Sequence, residues 1–89
     1  MPMDKKGLTK LMEECGELTQ IAAKKAAFMD TDIHPDGKSM SRRMEEEIAD
    51  VMGASIFVTK KLGLNREFIY ARAEQKMATF EEWDKDPNS

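Results

Sequence analysis

The chain has 89 residues, 40% hydrophobic and 35% charged, with a formal net charge of −3 at pH 7. That is the composition of one small folded domain rather than a disordered segment, and its acidic balance argues against nucleic acid as a partner, because phosphate contacts need a basic surface. No apolar run approaches the roughly 18 residues of a membrane span, no signal-peptide pattern opens the chain, and the lone Cys15 cannot close an internal disulfide, so a cytoplasmic protein without a membrane partner is expected.

The pattern predicts an all-α domain over residues 1–84, built from three main helices, with a polar tail at 85–89. The first helix is expected from about Asp4, as N-cap, to about Met29. Leu8, Leu11, Met12, Cys15, Leu18, Ala22 and Ala26 recur at three- and four-residue spacing along it and mark its apolar face. On this reading Cys15 packs in the core, as buried thiols do, and no His nearby in sequence would make it a nucleophile. Residues 30–39, "DTDIHPDGKS", break the pattern and read as a loop with His34 exposed. It is not a calcium loop, since Pro35 stands where that turn needs Gly and no Glu closes it.

A second helix is expected from Ser39 or Ser41 to Leu62, with Met40, Met44, Ile48, Val51, Ser55, Val58 and Leu62 on one side. Gly63 fits the position just past its end and Asn65 the next N-cap. The third helix, from about Arg66 to Glu82, carries Phe68, Ile69, Ala73, Met77 and Phe80. Gly16 and Gly53 interrupt helices at a cost of about 1 kcal/mol each relative to Ala. Close helix approach is the first explanation and clearance for a substrate the second. Three helices without a disulfide bury little surface, so self-association is expected.

Acidic residues give the chain its chemistry. At about 100° per residue, Glu14 falls roughly 40° outside the Leu18 margin of the first apolar arc, and Glu17 roughly 60° further round. Glu13 lies further still towards solvent. On the second helix Glu47 falls inside the apolar arc, about 20° from the direction of Met40 and Val58. Asp50 lies at the edge of that arc, while Glu45 and Glu46 point outward. A charge on a core face is tolerated when it is paired or binds a metal. Two antiparallel helices would bring Glu14, Glu17, Glu47 and Asp50 together as oxygen donors, and carboxylates held so close repel unless a cation neutralises them. An all-oxygen site suits Mg²⁺ or Mn²⁺ rather than zinc. The other reading of the same residues is a pair of solvated helix faces.

"EECGE" at 13–17 followed by "EIAD" at 47–50 resembles the E-E-x-x-E…E-x-x-D signature of the MazG-like all-α nucleoside triphosphate pyrophosphohydrolases. The likeness spans roughly residues 8–80, with a long gap between the two halves. The resemblance implies a helical bundle completed by dimerisation into a four-helix core, as a homodimer or homotetramer. It implies Mg²⁺ ligation by Glu14, Glu17, Glu47 and Asp50, with Mn²⁺ as a substitute, and a role for Glu13 in binding a second ion or positioning water. It implies substrate contact from Lys76, which matches a phosphate-binding Lys of the third helix. Phe80 stands where related enzymes carry an Asn, so Phe80 and Trp83 either close the core or stack on a base. The implied reaction converts a nucleoside triphosphate, a deoxynucleotide or non-standard one foremost, to monophosphate and pyrophosphate. A phosphoribosyl-ATP pyrophosphatase-like activity and a non-catalytic helical dimerisation module are the alternatives. Arg42 and Arg43, and Lys24 and Lys25, are either phosphate contacts or solvated surface.

Overall fold

The computed structural model describes residues 4–28 and 39–86. Among them the chain is all-α: a short turn at Asp4–Gly7, then α1 (Leu8–Ala27), α2 (Met40–Leu62) and α3 (Arg66–Asp84). Most of the 30–39 segment, with His34, lies outside the described residues. No helix among the described residues is long and apolar enough to cross a membrane.

The first helix starts at Leu8, later than the Asp4 cap the sequence points to. Lys5, Lys6 and Gly7 all take positive φ, 53°, 54° and 88°, a left-handed path that an α-helix cannot enter and that only Gly follows without strain. The turn they form packs against both α1 and α2. The later caps lie where the sequence places them. Ser39 Oγ accepts from the Arg42 amide at 3.2 Å, Asn65 Oδ1 accepts from the Phe68 amide at 2.9 Å, and Gly63 ends α2 at φ 64°. These satisfy backbone groups that helix ends leave without partners.

α1 and α2 pack against each other as an antiparallel pair, with Lys10 and Glu14 alongside Asp50 and Gly53, and Gln20 and Lys24 alongside Arg43. The buried apolar side chains among the described residues are Ile21 on α1 and Met40 and Val58 towards opposite ends of α2, with Met40 only 1% exposed. The inward face of α1 is Leu11, Glu14, Leu18, Ile21 and Lys25, all buried or half-buried. This corrects the predicted face. Met12, Cys15, Ala22 and Ala26 are exposed, as is Ile48 on α2. The spacing of the stripe is right, but its direction is turned towards Glu14. An assignment that sorts charged residues outward rotates the helix away from a buried acid.

Gly16 and Gly53 do not mark close approach among the described residues. A Cβ built at Gly16 or Gly53 meets nothing within 4 Å.

α3 has no buried residue. Phe68, Tyr70, Met77, Phe80 and Trp83 all lie on the surface, and an open apolar groove lined by Met52, Ile56, Ile69 and Tyr70 runs between α2 and α3. The chain therefore extends over 41 × 35 × 15 Å with a radius of gyration of 15.8 Å. A compact domain of this length would have a radius of about 12 Å.

Candidate metal centre

Glu14 sits on α1 between Leu11 and Leu18, one turn from each, so the packing that buries those leucines draws its carboxylate inward. It is 8% exposed, the one charged residue in the buried class among the described residues. Glu47 comes from the facing stripe of α2 and is half-buried; Asp50, one turn on, is exposed. One carboxylate oxygen from each of Glu14, Glu47 and Asp50 lies within 4.8 Å of the other two. Glu14 Oε2 and Glu47 Oε2 are both buried and have no hydrogen-bond partner among the described residues. A buried acceptor without a donor is costly, by about 1–3 kcal/mol and more when charged, and native proteins seldom leave one unless a water, an ion or a ligand takes it up.

Lys10 is the counter-charge. Its Nζ lies 3.4 Å from Glu14 Oε1 and 3.4 Å from Glu13 Oε1. The hydrogen bond to Glu14, then the charge of Glu13, raise the Lys10 ammonium above its ordinary pKa. Among the described residues Lys10 contacts one of the three clustered carboxylates, that of Glu14.

Two clefts flank it. One, of about 390 Å³, is lined by Lys10, Glu14, Asp50, Gly53 and Phe57. The other, of about 340 Å³, is lined by Glu17, Gln20, Lys24, Arg43 and Glu47. Glu47 and Glu14 thus stand between a cleft with one lysine and a cleft with two basic side chains.

The structure brings together three of the four expected ligands. Glu17 is exposed and lies in the second cleft beside Glu47, outside the three-residue group. Glu13 is exposed and paired with Lys10. Arg42 pairs with Glu45 at 3.4 Å on the outer surface, whereas Arg43 turns into the second cleft. Lys76, Phe80 and Trp83 are on α3 and line neither cleft. Phe80 and Trp83 contact each other, ring centroids 5.5 Å apart at 54°. Lys10 is absent from the sequence reading, although its spacing of three and four residues from Glu13 and Glu14 is the helical ion-pair signal.

The donor set fits a hard divalent ion. Carboxylate oxygens suit Mg²⁺ and Mn²⁺. One oxygen from each of Glu14, Glu47 and Asp50 already lies within 4.8 Å of the others, so these three acids would be the ones to supply oxygen donors to such an ion. Compared with known proteins, the chain matches no family model, no curated protein and no solved structure.

Proposed function

We propose that the chain is a Mg²⁺-dependent nucleoside triphosphate pyrophosphohydrolase that releases a monophosphate and pyrophosphate, with deoxynucleotides or non-standard nucleotides as its principal substrates. The observation that carries the reading is the buried Glu14 carboxylate, whose Oε2 has no hydrogen-bond partner among the described residues and which forms a group with Glu47 and Asp50. The signature likeness at 13–17 and 47–50 supports the choice of reaction.

Glu14, Glu47 and Asp50 would hold the ion, with Glu17 joining from the neighbouring cleft and Mn²⁺ as a substitute. A bound divalent ion supplies neutralisation of the triphosphate and acidification of a coordinated water. The remaining work falls to side chains. Glu13, at the outer rim beside Lys10, positions the attacking water. Lys24 and Arg43 line the cleft that Glu47 shares and face the place where a polyphosphate enters. The carboxylates by themselves would repel that polyanion, so cations must mediate its binding.

The open α3 surface supports a homodimer or homotetramer. A second copy covering it would complete a four-helix core and bring Lys76, Phe80 and Trp83 to a site that they do not reach within one chain. The same surface favours the second reading, a non-catalytic helical dimerisation module. A phosphoribosyl-ATP pyrophosphatase-like activity is tested by including that substrate. The deciding assay incubates the protein with a panel of NTPs and dNTPs, with and without Mg²⁺, and measures pyrophosphate. The enzyme reading expects Mg²⁺-dependent release, abolished by Glu47→Gln. Absence of turnover on every substrate would leave the dimerisation module.

A further inference from the structure

We propose that Lys10 is the resident counter-ion of the acidic site, neutralising Glu14 while the site lacks a divalent ion and transferring to Glu13 when one binds. The inference rests on the metal-site reading above, and concerns how this chain sets the affinity of that site.

The geometry is a shared ammonium. Lys10 Nζ is 3.4 Å from an oxygen of Glu13 and 3.4 Å from an oxygen of Glu14. The two acceptors differ in surroundings: the Glu13 side chain is 53% exposed and that of Glu14 is 10% exposed. Three- and four-residue spacing places both on the same side of α1, one turn beyond Lys10. Moving from one to the other therefore needs only rotation at the end of the lysine side chain. Glu13 can accept the ammonium without burying any charge, because it already faces water.

Among the described residues, Lys10 is also the one cation lining the cleft that contains Glu14 and Asp50. An ammonium at Glu14 Oε1 and a divalent ion at the same carboxylate repel at short range. Metal binding must then release Lys10, and the lysine lowers the affinity of the site. Glu13 has the opposite effect, since it retains Lys10 once Glu14 is engaged. The arrangement keeps a buried carboxylate compensated before loading, so the apo fold does not carry the full cost of an uncompensated buried charge.

The test is a double-mutant cycle on the full chain, with Mn²⁺ affinity measured by calorimetry or by the spin-resonance signal of free Mn²⁺. Lys10→Met should tighten Mn²⁺ binding by about tenfold, the scale of losing one neighbouring like charge. Glu13→Gln should weaken it severalfold in the wild-type background and leave it unchanged in the Lys10→Met background. Lys10→Gln serves as a second, polar replacement and should also tighten binding. Unchanged or weaker binding in both Lys10 variants overturns the proposal while leaving the metal site intact. An equal loss from Glu13→Gln in both backgrounds makes Glu13 a direct ligand and also overturns it. A wild-type chain that binds no Mn²⁺ overturns this inference and the metal-site reading together.

Discussion

Glu14 on α1 and Glu47 on α2 meet across the helix interface with carboxylate oxygens within 4.8 Å, and each keeps a buried Oε2 without a hydrogen-bond partner among the described residues. Two like charges in that position work against the packing that surrounds them. The contact is unfavourable for the apo fold and favourable for a fold that binds a cation.

Neutralising Glu47 should therefore help the protein when no metal is present. Glu47→Gln, measured by urea unfolding in chelator, is expected to leave stability unchanged or raise it by about 1 kcal/mol. A loss of several kcal/mol would mean that Glu47 is held by a stabilising partner instead.

Lys10 adds a pH signature. Its ammonium is raised above the ordinary lysine value by Glu14 and then Glu13. A raised folded-state value means that its stabilising contribution is fully present below the unfolded pKa and is lost as pH rises through the folded one. In the absence of metal the wild type should thus be more stable than Lys10→Met at neutral pH, and the difference should fade only in strongly alkaline solution. A difference that disappears on acidifying from pH 8 to 6 would contradict this pairing.

The interior depends on few side chains. Met40 is 1% exposed and stands directly after the Ser39 cap, so Met40→Ala should cost about 2–5 kcal/mol in chemical denaturation. For a domain this small such a loss is most of its stability.

Gly16 lies within α1 with no atom of the described residues within 4 Å of a Cβ built on it. Gly16→Ala should stabilise the chain by up to about 1 kcal/mol, which a thermal scan reads as a rise of roughly 4–8 °C. A fall would place another chain against that face of α1.

The exposed apolar residues of α3 carry the expectation of self-association. Sedimentation should find the wild type as a dimer or tetramer, and Phe68→Glu, at a side chain 67% exposed, should shift it to monomer with its helicity retained. A wild type that sediments as a monomer at high concentration would contradict the dimeric reading.

Much of this fold is legible in the sequence because local chemistry decides it. Asn65 and Gly63 mark the α2–α3 turn through capping and a left-handed φ, needs that no distant contact alters. The direction of the α1 face is harder to read. It depends on a buried Glu14, and hydrophobic periodicity sorts a glutamate outward by its type alone. Cys15 is misplaced for the same reason, since the rotation that draws Glu14 in carries Cys15 out to the surface. Glu47 shows the converse. It stands within an otherwise apolar arc, so its inward position is readable directly. The placement of α3 is the least legible, because an apolar residue such as Phe68 signals burial without naming the surface that buries it.

The central claim, that the acids of α1 and α2 form a divalent-cation site, is tested most directly by the melting temperature under a Mg²⁺ or Mn²⁺ titration, wild type against Glu47→Gln. Ligand that binds only the folded state stabilises it by about 2.7 kcal/mol at 100 times its Kd. The wild type should therefore melt progressively higher as the ion is added, with Glu47→Gln showing little or no response. A wild-type melting temperature indifferent to both ions, or an equal rise in the variant, would contradict the claim.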